Sequence, residues 1–317
     1  MTIFHVPINC TSNQWIWEQP SKEPFNELIV SWNGFRPPVG FWQFSVSLFQ
    51  NGWSPWLKYA QWGHQHQKTF RTSIDSCFAK TDQDVVQSTS GHCSAFRLQV
   101  IGQDGADLRD LHSITAAATD TAWFKSESSH TAEAHSLKRV SLPWIPHQSQ
   151  MTLPHLRCID LCSPTSTSSA INYLLRHKTI DPTIFAETVR DQEFDIYGNW
   201  VLNTAAAYEA LHGKYRTYVA RLRSFSEALK YIAQGMPLVV SIKGPLEGAP
   251  KPYASGHLML LTGYDQNLQR VLCMDPGFPN DQQTKTSYGL VPFLEAWGRR
   301  RNLAYVFDRH INSPIPY

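Results

Sequence analysis

From Phe41 to Phe49 the chain alternates strictly, with Trp42, Phe44, Val46 and Leu48 on one side and Gln43, Ser45 and Ser47 on the other. A period of two marks a strand with one buried face. Asn51-Gly52 follows at once, a pair that favours a tight hairpin turn, so Trp53 to Trp62 is expected to return as the partner strand. Leu28 to Trp32 reads as a short apolar strand, and Phe96, Leu98 and Val100 repeat the alternation. No helical period of useful length occurs before residue 125. Short strands separated by turns predict an all-β, sandwich-like domain over residues 1–125. Most of the eleven tryptophans lie in the first half. They fit core and sheet-surface packing better than a sugar-binding surface, although contact of this domain with a protein or glycan partner stays open.

Ser126 to His135 is largely polar, and residues 126–138 read as a linker. Beyond it the pattern changes. Ala170, Ile171, Leu174 and Leu175 share one helical face, and Ile184–Val189, Thr204–Leu211 and Ser226–Gln234 also read as helices. Gly235 and Pro237 stand where the last of these would stop. Leu238–Ile242, His257–Tyr264 and Val271–Asp275 are apolar runs of strand length. Helices followed by strands predict an α+β domain over residues 139–317.

Charge excludes little. Lys and Arg total 28 against 26 Asp and Glu, and the one basic run, Arg299-Arg300-Arg301, reads as a solvated helix end rather than a nucleic-acid surface. No apolar run is long enough to span a bilayer. Met1 to Pro20 lacks the pattern of a secretory signal, so a cytoplasmic location is expected, with signal-independent export left open. The six cysteines are scattered and read as reduced thiols.

One of those thiols stands apart. Cys162 is followed by Ser163, a good N-cap, and Pro164, which suits a first helical position. A thiolate there would face unpaired N–H groups and the positive end of the helix dipole. Local pattern alone reads equally well as an inert, buried thiol. The second element is His257, which opens an apolar strand, and the third is Asp275 on the next one. A hairpin centred on Gln266 or Asn267 makes His257 and Asp275 cross-strand neighbours on one face. A carboxylate beside an imidazole fixes its tautomer and supports its charged form, and such an imidazole can activate a thiol. Gln150, upstream, could offer its amide N–H to a developing oxyanion, together with the N–H of Cys162.

In order, these motifs resemble the family-39-type cysteine peptidases of the papain-like superfamily, whose relatives include bacteriocin-processing domains of ABC exporters. The resemblance runs from Leu142 to the C-terminus. It rests on Ser149-Gln150, Cys162-Ser163-Pro164-Thr165-Ser166, Tyr197-Gly198-Asn199-Trp200 with Asn203-Thr204-Ala205, Gly235-Met236-Pro237, Gly256-His257-Leu258 with Thr262-Gly263-Tyr264, Asp275-Pro276, and a closing Tyr288, Phe293–Trp297 and Tyr305-Val306. The phrases Ser31-Trp32-Asn33 and Trp53-Ser54-Pro55-Trp56 are similar to a β domain that precedes the peptidase in some relatives. The resemblance implies a papain-like C-terminal domain with Cys162 as nucleophile, His257 as base, Asp275 as orienting acid and Gln150 as oxyanion donor. It implies a peptide or protein substrate, no cofactor and no metal. Two departures stand out: Leu161 occupies the place where exporter-type relatives carry aspartate, and Gln150 lies twelve positions before Cys162.

Three other readings use the same residues. The acyl-enzyme could pass to an amine or thiol instead of water. The fold could serve as a non-catalytic binding protein. Cys158, Cys162, Cys273 and His257 include metal-ligand types, but Cys158 and Cys162 run into a helix start with no paired knuckle.

Overall fold

The structure, a computed structural model, describes residues 1–125, 139–177 and 179–309. The expected linker, residues 126–138, lies outside the described residues.

The strands of the first part are β1 (Thr2–Pro7), β2 (Gln14–Phe25), β3 (Glu27–Gly34), β4 (Phe41–Phe49), β5 (Leu57–Gly63), β6 (Gln67–Ser73), β7 (Ala79–Gln83), β8 (Val85–Ser88), β9 (Cys93–Gln103) and β10 (Leu111–Thr119). They hydrogen-bond in the order β1-β10-β3-β8-β7-β6-β5-β4-β9-β2. This path folds back on itself. Trp32 of β3 stacks on Phe44 of β4 at 4.5 Å and meets Trp62 of β5 edge-on at 5.7 Å, while Phe4 of β1 meets Phe96 of β9. Trp42, Phe44, Val46 and Leu48 are all fully buried, as the period of two requires. The return strand starts at Leu57 rather than Trp53. Pro55 has no N–H for a ladder, and Ser54 instead caps the end of β4, its N–H donating to Leu48 O at 2.8 Å and its carbonyl accepting from Ser47 Oγ at 2.7 Å.

The second part holds β11 (Val140–Ser141), α1 (Cys162–Leu175), α2 (Pro182–Val189), α3 (Trp200–Ala210), β12 (Tyr215–Arg221), α4 (Phe225–Ala233), β13 (Leu238–Gly244), β14 (Tyr253–Asp265), β15 (Arg270–Met274), α5 (Asp281–Thr284), β16 (Lys285–Gly289), α6 (Leu290–Gly298) and β17 (Leu303–Arg309). The sheet order is β12-β17-β13-β14-β15-β16, with β11 added against β14. The chain is thus mixed α/β, built around large antiparallel sheets. The strands of the second sheet are apolar runs because both of its faces are covered. Val239, Leu258, Leu260 and Tyr305 join the core that contains Ile171 of α1 and Val201 of α3. Val240, Met259, Leu261 and Val306 join a second core with Phe225 of α4 and Trp297 of α6.

The first of these cores is continuous with the β-rich part, since it also contains Trp32, Phe44 and Trp62. Polar contacts reinforce the join. β12 is an edge strand, and unpaired edge groups need cover. Asn33 supplies it, donating from Nδ2 to Thr217 O at 2.7 Å and accepting from Thr217 N at 3.1 Å, and Ser31 Oγ accepts from Val219 N at 3.0 Å. Beside them Glu27 and Arg221 form an ion pair with side-chain exposures of 1% and 5%, joined by Arg301 at 3.4 Å. Asp84, from the β7–β8 turn, accepts from the N–H groups of Trp200 and Val201 at 2.8 and 3.2 Å and so caps α3 from the other side of the join.

Glu27→Ala would strand the buried Arg221 guanidinium without its counter-charge. Urea unfolding should show a loss of about 3–5 kcal/mol, since removing one partner of a buried pair leaves an uncompensated charge. Glu27→Gln, which still accepts hydrogen bonds, should lose less.

Candidate active site

The helix of Cys162 begins two residues earlier than the sequence predicts. α1 starts at Cys162 itself, and its N-cap position is Leu161, which makes no side-chain cap. Ser163, expected as the cap, is fully buried and instead hydrogen-bonds Tyr305 OH at 2.9 Å, tying the first turn of α1 to β17. Ser163 to Ser169 are all buried. These small side chains let α1 lie close against the sheet, where Ser166 Oγ donates to Leu258 O at 3.1 Å.

β14 starts at Tyr253, four residues before His257. Leu260 pairs with Met274, which centres the β14–β15 hairpin on Asn267 and leaves His257 and Asp275 diagonal to each other. His257 Nε2 and Asp275 Oδ1 are 2.7 Å apart. Asp275 has no solvent exposure and His257 4%. The carboxylate receives three further bonds: Gly277 N–H to Oδ1 at 2.8 Å, and the Tyr253 and Tyr288 hydroxyls to Oδ2 at 2.8 and 2.5 Å. Tyr253 also stacks flat on the His257 ring, with centroids 3.9 Å apart and planes 4° from parallel.

With Nε2 engaged by Asp275, Nδ1 is the nitrogen left for the thiol, and Cys162 and His257 line the same cleft. Burial pushes the Cys162 thiol up, but the His257 bond and charge, with the N–H groups of Leu258 and Ser163, bring it below its ordinary value. Burial alone would lower His257, but the charge and hydrogen bond of Asp275, and then Cys162, raise it to about 9. For Asp275 burial acts upward, and the His257 charge with the hydrogen bonds of His257, Tyr288 and Gly277 carries it below the usual carboxylate range. All three shifts favour a thiolate beside an imidazolium beside a carboxylate.

Gln150 lies beside the site, its backbone N–H donating to Pro276 O at 2.9 Å, but its side chain turns away from the thiol. It is buried, and its Nε2 donates to Cys158 O and Ile159 O at 3.0 and 2.7 Å, which engages both of its N–H groups. It does not line the cleft that holds Cys162 and His257. To donate to an oxyanion, this side chain would have to leave those two carbonyls.

The cleft measures about 630 Å³. One wall is the start of β14, from Lys251 to Leu258, together with Arg300. Arg157, Asp160, Tyr197, Gly198 and Trp200 line it from the helical side. The last wall comes from the β-rich part, Asp82 to Val85. Sequence reading does not reach Tyr253, Asp84 or Arg300. Tyr253 falls outside any spacing rule for a hairpin pair, and Asp84 approaches only through the folding of the first sheet. Among the described residues, no three His, Cys, Asp or Glu side chains come together to hold a metal ion, and no helix is long and apolar enough to cross a membrane. All six cysteines are unpaired.

A thiol at a helix start, in one cleft with an imidazole that a buried carboxylate holds, is an arrangement found in cysteine peptidases. The sequence agrees: residues 144–305 match the model of the Peptidase_C39 like family, and the chain belongs to that family. It is a cysteine-type peptidase, a thiol-dependent hydrolase. The solved structure of xylellain, a cysteine protease from Xylella fastidiosa, aligns at 11% identity and a TM-score of 0.32, covering 56% of this chain and 89% of that one. No curated protein matches the chain.

Iodoacetamide at pH 6 should alkylate Cys162 well before Cys93 and Cys273. Burial raises Cys93 to about 11, and burial with the Asp275 charge raises Cys273 far above its ordinary value. His257→Ala should remove the early alkylation of Cys162. Mass mapping of the modified peptides reads both results.

Proposed function

We propose that the chain hydrolyses a peptide or isopeptide bond through an acyl-enzyme on Cys162, with His257 as general base and acid and Asp275 as the group that orients it. The observation that carries this reading is the buried 2.7 Å His257–Asp275 pair, in the same cleft as Cys162. The thiolate attacks the carbonyl carbon, and the Cys162 N–H at the start of α1 meets the oxygen as it gains charge. The His257 imidazolium gives its proton to the leaving amine. It then takes one from water, which attacks the thioester and releases the acid and free Cys162. Gln150 serves this step from behind, holding the carbonyls of Cys158 and Ile159 and with them the turn that leads into α1.

The same reading divides the chain into a sandwich domain over residues 1–125 and a papain-like domain over 139–317. The substrate is a peptide or protein. What favours one working unit is that both parts line the cleft and share one core.

Comparison of protein termini generated by the native protein and by Cys162→Ala tests the reading. Cleavage ends that persist in Cys162→Ala would refute it. Asp275→Asn should lower kcat by roughly 10³ to 10⁴, because the amide holds the wrong imidazole tautomer. The pH profile of kcat/KM should fall on the alkaline side near 9, where His257 loses its proton, and on the acid side below the depressed Cys162 value, where the thiolate is lost. Tyr253→Phe keeps the ring stack but loses one bond to Asp275, so its effect on kcat should be far smaller than that of Asp275→Asn.

A further inference from the structure

Three consecutive arginines follow α6, and they have different fates. Arg299 reaches Glu295 at 3.7 Å, and Arg301 reaches Glu27 at 3.4 Å. Arg300, between them, has no carboxylate within the 4.0 Å ion-pair distance among the described residues. Its guanidinium makes one hydrogen bond there, Nη2 to Ser255 O at 3.1 Å, and its Nε is buried without a partner. Burial and the nearby Arg221 charge pull it below the ordinary arginine value, as expected for a cation lacking a counter-charge. Yet Arg300 lines the cleft, on the wall that carries His257.

The backbone beside it is shaped to admit it. Gly256 has φ +106°, and a Cβ there would lie 2.1 Å from Arg300 Nη2. Only glycine leaves room for the guanidinium next to His257. No carboxylate of the cleft pairs with it, and the Cys162 thiolate and Asp84 act on it only from a distance. Asp160 is paired with Arg157 at 2.9 Å and Asp82 with Arg71 at 2.8 Å. Asp84 gives Oδ1 to the N–H groups of α3, and burial raises its carboxyl to about 8, which weakens it as a counter-charge. Lys251, exposed on the same wall, adds a second cation.

We infer that Arg300, with Lys251, docks a carboxylate of the substrate beside the bond presented to Cys162, so that the cleft selects peptides with an acidic side chain or a free C-terminus at that subsite. An arginine fork matches a carboxylate in two parallel hydrogen bonds, which a cleft can use for register as well as affinity. The inference rests on the peptidase reading for the identity of the ligand, but its test needs no turnover.

Immobilised Cys162→Ala protein is incubated with hexapeptide libraries in which Glu or Gln is fixed at each position in turn. Each library is made with a free C-terminal acid and with a C-terminal amide. Mass spectrometry counts the retained peptides. Enrichment of about tenfold is expected either for Glu at one position, whichever terminus is used, or for the free acid over the amide, which separates the two sources. Arg300→Gln in the same background should bring the acid-to-neutral ratio to about one, and Arg300→Lys should restore part of it. A ratio near one with Arg300 present, a ratio that Arg300→Gln leaves unchanged, or no retained peptide overturns the inference. If Arg300→Gln does not fold, Arg300→Lys alone decides: a point charge cannot reproduce the fork, so the ratio must fall severalfold. Failure of the peptidase reading shows separately, as unsubstituted protein that cleaves nothing and resists thiol-directed activity probes at Cys162.

Discussion

A fully buried carboxylate, Asp275, is the point from which the rest of the site is organised. An ionised carboxyl group without solvent is costly unless every lone pair finds a donor or a positive charge. Here four donors converge on it: the imidazole of His257, the backbone of Gly277, and the hydroxyls of Tyr253 and Tyr288. Those donors come from β14, from the turn after β15 and from β16. Their convergence therefore fixes the order of three neighbouring strands as well as one side chain. Burial and the Asp275 charge push both phenols up, so they remain donors across any working pH. The imidazole then has one nitrogen fixed and one free to meet the thiol, with a parallel tyrosine ring limiting its swing.

The join between the two sheets has consequences for the cleft. Asp82 to Val85 form a wall only because the β7–β8 turn is held against α3, and the holding bonds are directional. Asp84 contacts the first two N–H groups of the helix, whose partial positive charge favours an acceptor there. Nearby, Asp191 Oδ2 accepts from Thr69 Oγ1 at 2.5 Å and from Asn199 Nδ2 at 2.8 Å, and Asn199 is itself the N-cap of α3. One helix start is thus fixed by acidic side chains from both parts of the chain. A shift of the first sheet would move a wall of the cleft and uncap α3 together.

Much of this is legible in the sequence, and the limits have physical reasons. The inward set of β4 survives, because a strand with one face on a core has no choice about which residues face inward, while Ser47 on the other face is buried by its bond to Ser54 O. The proximity of His257 and Asp275 is legible because hairpin pairing is local arithmetic, and of the two centres consistent with it the bulge between Leu261 and Gly263 accompanies the one at Asn267. Cys162 is marked by the helix that follows it, but Ser163 misleads. Its side chain has the chemistry of a cap, yet a buried tyrosine from β17, more than a hundred residues later, claims it. The partners of Gln150 are not legible for a similar reason: which carbonyls an amide will meet depends on the path of the loop from 150 to 161. Asp84 and Arg300 give no local signal at all. Each matters through a surface brought to the cleft by a different sheet.

Arg300 also shows why a basic run cannot be judged by composition. Three adjacent arginines look interchangeable in sequence and read as a solvated helix end. After α6 the chain turns sharply, with Arg301 and Asn302 both at positive φ, before β17 begins. Successive side chains are thereby sent in different directions: Arg299 back along α6 to Glu295, Arg301 toward the buried Glu27, and Arg300 between them onto the glycine that precedes His257. Two of the three are neutralised by acids of their own chain. The third faces the cleft that holds Cys162 and His257, where the carboxylate of a substrate would meet it.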